Sequence, residues 1–205
     1  MAQLKDIKER INSVKKTRKM TQAMKMVSAA KFKRYSKLAI TSRFILNDLD
    51  SLICETADAT ENNSINILNT FNTTTEILVI LAGDRGLCGG YNSSILKSAH
   101  EYLKNSDKNV ELILFGRKAV QEFKNSSYKI IKSYENFNDS VNIDDAEKLF
   151  NEFKQLYLSQ SYSKITLLFN EFKTAVTSNL IFKQIFPVKI SDVESDTTTN
   201  NVDVI

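Results

Sequence analysis

From its start the chain repeats one spacing. Leu4, Ile7, Ile11, Val14, Thr17, Met20, Met24 and Val27 follow one another at steps of three and four. The mean step falls under about 3.5, the winding of a seam that turns left-handedly around another helix. No Gly or Pro occurs before Gly83, and Pro187 is the only proline. With the strongest helix breakers missing, the spacing predicts one helix over residues 1–57. At about 1.5 Å per residue it would run on the order of 80 Å. That exceeds the diameter of a domain of this size, so the helix is expected to find its partner elsewhere. Leu38, Ile45, Leu46, Leu49, Leu52 and Ile53 carry the stripe onward. Between the two stretches Lys25, Ser28, Ala29, Ala30, Lys31, Lys33 and Arg34 mix small and basic residues, a surface that permits close approach while the lysines snorkel away. Met20, Met24 and Met26 read either as coiled-coil core or as a pliable binding surface.

The period then changes. Residues 58–75 are rich in Asn, Thr and Ser and read as a loop. Over residues 76–190, β-rich apolar runs at Glu76–Ala82, Val110–Phe115 and Lys164–Phe169, with a weaker one at Tyr128–Ile131, alternate with helix-like stretches at Asn92–Lys104, Arg117–Lys124 and Ile143–Leu158. Such alternation implies an α/β domain, Rossmann-like, with a mainly parallel sheet and helices on its faces. Leu180–Val188 fits a short helix or a final strand. Residues 191–205 form a polar, acidic tail whose last four residues, Val202 to Ile205, look like the start of a strand; the expectation is a fragment of a longer chain.

Charge divides the chain the same way. Residues 1–43 hold thirteen Lys/Arg against Asp6 and Glu9, a net +11, and the rest carries −7. A basic helix of this kind should seek an acidic surface, with a salt-sensitive association. A basic nucleic-acid-binding module is the alternative reading, though the helix lacks the aromatic interleaving of a single-strand binder and its apolar stripe asks for a protein partner. With 205 residues, 42% hydrophobic, one real core is expected and hardly two. The longest apolar run, Ile77 to Ala82, is far below membrane-spanning length, so any membrane association should be peripheral. The charged N-terminus has no apolar stretch of the secretory kind; its basic, amphipathic look could suit an organelle presequence, but the helical pattern runs on past a cleavage point.

Candidate chemistry is thin. Cys54 and Cys88 make no disulfide framework, and His100, the only histidine, leaves a transition-metal site short of ligands and Ser or Cys nucleophiles without a base. Asp144, Asp145 and Glu147 could form a metal or acid/base cluster, but acidic residues there also suit a helix start. Four of the five glycines lie in Gly83–Gly90 (GDRGLCGG), after a strand and before a helix, where a nucleotide fold places its phosphate loop. No Gly-Lys-Ser/Thr ending follows, and the spacing is not G-x-G-x-x-G. The turn therefore reads as a tight one with positive-φ positions, made close to another backbone. No cofactor and no catalytic residue is expected.

Ala2–Lys33, with its Ala23-Met24-Lys25-Met26-Val27 core, together with GDRGLCGGYN at Gly83–Asn92, closely resembles the γ subunit of F-type ATP synthases. Leu168-Phe169-Asn170-Glu171-Phe172 and Gln184-Ile185-Phe186-Pro187 are similar to a later region of that family, so the resemblance reaches nearly to Val188. It implies a rotor: a central-stalk shaft inside the α3β3 head, turned by proton flow through a ring of c subunits and forcing each β subunit through states of different nucleotide affinity. The α/β domain would meet the ε subunit and the c ring, and the chain itself would do no chemistry. On that resemblance Leu4, Ile7, Ile11, Val14, Met20, Met24 and Val27 would face the hexamer, with Lys25, Lys31 and Lys33 available to acidic β levers. Asp84, Arg85, Gly86, Leu87 and Cys88 would face the same lever region. Family members continue into a second long helix paired antiparallel with the first, so on that resemblance the expectation is a truncated γ subunit that would not transmit torque alone. Nothing matches the cysteine-bearing insertion of chloroplast members. The expected location is peripheral, on the cytoplasmic face of a bacterial inner membrane.

Overall fold

The computed structural model describes residues 2–59, 67–136, 143–175 and 177–188. The whole tail 191–205 with its strand-like Val202–Ile205, and residues 60–66 of the expected loop, lie outside them, as do the side chains of Ile45, Leu49, Leu52, Ile53 and Cys54. The chain divides into two compact units, Met1–Leu52 and Ile53–Ile205. The division falls within the first helix, α1, which runs without a break over Ala2–Ala59, 58 residues.

The apolar stripe of α1 is exposed from Leu4 to Val27: Leu4, Ile7, Ile11, Val14, Met20, Met24 and Val27 are each about half open to solvent or more. Thr17 fits the stripe because its Oγ1 donates to Ser13 O at 3.0 Å, which satisfies the hydroxyl within the helix.

The second unit is built on β1 (Thr75–Leu81), α2 (Tyr91–Asn105), β2 (Asn109–Phe115), α3 (Arg117–Phe123), β3 (Ile130–Tyr134), α4 (Ile143–Leu158), β4 (Ile165–Phe172) and β5 (Ser178–Phe186). The sheet order is β3-β2-β1-β4-β5. β1 pairs in parallel with β2 (Thr75↔Asn109 to Leu81↔Phe115) and with β4 (Ile77↔Ile165 to Ile80↔Leu168), and only β5 is antiparallel. Because parallel crossovers share one hand, reversing direction past β1 sends the next helix to the opposite face. Thus α2 and α3 cover one side and α4 the other.

Alternation along β1 feeds both layers. Leu78 and Ile80 join Ile95, Ala99 and Leu103 of α2 and Ala119 and Phe123 of α3. Ile77 and Val79 join Phe153 and Tyr157 of α4 and Phe186 of β5. A strand covered on both faces needs apolar residues on both, which is why 77–81 reads as an unbroken run.

Three elements differ from the sequence reading, and one it left open is decided. The supposed loop 58–75 begins with helical Asp58 and Ala59 and ends in β1. Its described part from Ile67 on is packed, with the Phe71 ring 5.0 Å from that of Tyr157 and Val188 N donating to Ile67 O. β3 lies further along than Tyr128–Ile131, because pairing with β2 sets Tyr134 opposite Phe115, where their rings stack at 4.4 Å. β4 extends to Phe172 because β5 returns beside it as far as Ser178. Leu180–Val188, open to two readings, lies mostly in that final strand.

Two buried glutamates sit where β1 and β2 begin. Glu76 accepts from Tyr102 Oη (2.6 Å) and Ser106 Oγ and pairs with Lys164 (3.1 Å). Glu111 accepts from Tyr162 Oη (2.9 Å) and pairs with Lys129 (3.0 Å). Each buried charge is thereby matched by a cation and a hydroxyl.

Candidate functional site

The Gly83–Gly90 turn leaves the carboxyl end of β1 at the place where the sheet order reverses between β1 and β4, the position at which open α/β sheets place their ligands. Here the chain's own side chains bridge it. Asn92 Oδ1 accepts from Gly83 N at 2.8 Å, while its Nδ2 donates to Arg85 O (3.0 Å) and to Cys88 Sγ (3.1 Å). From β4, Asn170 Nδ2 donates to Tyr91 O at 3.4 Å.

Asp84 fastens the opposite side. Its Oδ1 accepts from Arg117 N (2.9 Å) at the start of α3 and from Asn136 N (3.0 Å) beyond β3. Gly83 O also accepts from Lys118 N. The close approach of two backbones expected here is real, but the glycine it requires is Gly116. That residue has φ +90°, and a Cβ on it would lie 2.1 Å from Ala82 O. The positive-φ positions within the turn are Leu87 (φ +62°) and Gly89 (φ +59°).

The tip stands clear of these fastenings. Leu87 is 94% exposed, Arg85 and Cys88 are exposed, and a Cβ on Gly86 would meet nothing within 4 Å. Of the five turn residues singled out from the sequence, Asp84 turns inward as a clasp and the other four face solvent. Tyr91, just after the turn, has its phenol pushed upward in pKa by burial and then by the neighbouring Cys88.

The other sequence candidates are spread along α1, where Lys25, Lys31 and Lys33 are exposed beside the apolar stripe. Asp144 and Asp145 occupy the first turn of α4, where acidic side chains offset the helix dipole. His100 pairs through Nε2 with Glu122 Oε1 at 2.9 Å, joining α2 to α3. No group of three or more potential metal ligands occurs among the described residues. Sequence reasoning missed Asn92, whose partners lie four to nine residues back; its position just after the second glycine pair was the only available signal.

A family model described as ATP synthase matches residues 3–205. The ATP synthase γ chain of Trichlorobacter lovleyi is 33% identical over 192 residues, covering 92% of this chain and 66% of that protein. The γ chain of Prochlorococcus marinus strain MIT 9303 is 37% identical over 201 residues, covering 92% and 62%. The chain thus spans about two thirds of the length of these relatives. Among solved structures, a chain of the Tetrahymena thermophila mitochondrial ATP synthase central stalk and c-ring matches with TM-score 0.63 at 24% identity, over 82% of this chain and 72% of that one. That likeness establishes the fold. With the sequence match running along nearly all of its length, the chain belongs to the ATP synthase γ chain family.

Proposed function

We propose that the chain is the central-stalk rotor of a proton-translocating ATP synthase. In that role it couples flow through a membrane ring of c subunits to ATP synthesis on the β subunits and has no catalytic residue of its own. The observation that carries this reading is α1: 58 residues without a break, with an apolar stripe left open from Leu4 to Val27. A stripe of that length on a family member asks for a sheath of other subunits. Leu4, Ile7, Ile11, Val14, Met20, Met24 and Val27 would face the α3β3 sleeve. Small residues and methionines suit a surface that meets three equivalent partners in succession, since fixed and demanding contacts would trap it at one angle. Lys25, Lys31 and Lys33 would meet acidic β levers, and Arg85–Cys88 the same region. The ε subunit and the c ring would be the partners of the α/β unit. Among the described residues no helix is long and apolar enough to cross a membrane, in keeping with a peripheral place on the cytoplasmic face of a bacterial inner membrane.

Reconstitution with α and β subunits tests the reading. One chain per α3β3 hexamer is expected, and it should stay in place when random duplex DNA is added in excess. Failure to assemble with the hexamer, or ready displacement by DNA in favour of the basic-helix alternative, would falsify it.

A further inference from the structure

Each residue of an α-helix turns about 100°, so the seven steps from Leu4 to Val27 carry the apolar stripe about 220° around α1. An ordinary left-handed pair of helices absorbs a drift of about 20° per heptad, roughly 70° over the same stretch. One partner helix therefore cannot stay on the stripe to its end. The excess arises at three successive steps of three, Ile11 to Val14 to Thr17 to Met20. Strict alternation of three and four from Leu4 keeps instead to Ile7, Ile11 and Val14. That line then passes Arg18, Thr21, Lys25 and Ser28, and is largely apolar again from Phe32 to Leu46. Met20, Met24 and Val27 each stand one residue before it, about 100° off.

The line has the form of a seat for a helix. Ile7, Arg10, Ile11, Val14 and Lys15 line an apolar groove of ≈ 370 Å³ with a cation on either flank. Where the line turns polar, Thr21 Oγ1 donates to Thr17 O and to Arg18 O, both at 3.0 Å, so that hydroxyl asks nothing of a partner. Lys25 has a stem long enough to carry its charge off the line. The Arg18 guanidinium, next on the line after Val14, is the group a covering helix must answer. A planar fork closed in among apolar side chains needs a carboxylate. A second copy of α1 does not supply one, because residues 1–43 carry a net +11 and two such helices repel.

We propose that this line seats one amphipathic helix bearing a carboxylate in its apolar seam opposite Arg18, and that Arg18 thereby fixes the helix in register. A single charged position in a seam sets register in this way, because every slipped pairing leaves the charge among apolar side chains. Met20, Met24 and Val27 lie outside the seat and are left to a different surface of the sheath. The assignment goes beyond the rotor reading and does not depend on it, since it follows from spacing and charge along α1 alone.

The test uses the full chain and two labelled helical peptides, each about four heptads long, with leucine at the seam positions and either Glu or Lys at the middle one. Fluorescence anisotropy should show the Glu peptide binding about tenfold or more tighter than the Lys peptide. Arg18→Glu should reverse that preference, whereas Lys19→Glu, the same change of charge off the line, should keep it. Ile11→Ala should weaken the Glu peptide by about tenfold, and Met24→Ala by less than about twofold. Circular dichroism confirms that each variant keeps the parent's helicity. Binding of neither peptide overturns the proposal, as does self-association of the chain without peptide. So does an equal effect of Lys19→Glu and Arg18→Glu, which would reduce the preference to net charge. A loss at Met24 as large as that at Ile11 would restore a single stripe and overturn it too.

Discussion

Gly116 is the residue at which the sheet is least forgiving. Its φ of +90° strains any L-side chain, and the first carbon of that side chain would enter the Ala82 carbonyl. Gly116→Ala is therefore expected to lower stability by about 3 kcal/mol or more. Gly86→Ala, placed in open space, should change it by under about 0.5 kcal/mol. Urea unfolding of the two variants checks the contrast, and equal shifts would contradict it. A second residue-scale effect concerns alkali. Burial and the bond to Glu111 push the Tyr162 phenol up to about 12, and Tyr91, Tyr102, Tyr134 and Tyr157 are raised as well, each chiefly by burial. A raised folded pKa means the fold favours the neutral phenol. That stability is complete below about pH 10, where unfolded tyrosine titrates, and drains away toward about pH 12. Absorbance titration should find phenols ionising late, with the urea midpoint falling over the same range, and Tyr162→Phe should make that fall shallower.

At the scale of elements, α1 and the sheet draw on different sources of order. Helix α1 keeps its stripe from Leu4 to Val27 exposed, so its persistence rests on length, propensity and the absence of breakers, whereas the central strands β1 and β2 are held by two packed layers. Proline at Ala29 removes a backbone bond and clashes with the preceding turn, at about 3 kcal/mol. Ala29→Pro should thus reduce far-ultraviolet helicity while the unfolding midpoint of the sheet stays where it was; loss of both would tie the two units together energetically. The same contrast explains what could be read from the sequence. The span of α1 was legible because 82 residues pass without Gly or Pro, and β1 because both its faces are apolar. β3 was misplaced because five residues at an edge carry too little pattern to fix a register, which the Phe115–Tyr134 stack decides instead. Whether β5 was helix or strand was left open because Leu180, Ile181, Ile185 and Phe186 satisfy either period. The clasp at Asp84 was hidden for another reason: a single polar residue does not announce a partner that folding brings from 33 or 52 positions away, as Arg117 and Asn136 are brought to it.

For the molecule as a whole, sequence position and character run together: a basic first unit, then an α/β unit whose two buried glutamates are matched in the pairs Glu76–Lys164 and Glu111–Lys129. The consequence of placing β1 third in a row of five strands reaches furthest. Its amides and carbonyls are engaged by β2 on one side and β4 on the other, under helices on both faces. No local opening frees them without dismantling two ladders at once. In heavy water, peptides from 75–81 should therefore be the last to take up deuterium, in step with global unfolding, and peptides from the first half of α1 among the earliest. A chain followed in this way would register time, with the innermost strand keeping its original hydrogens until nothing else is left to lose.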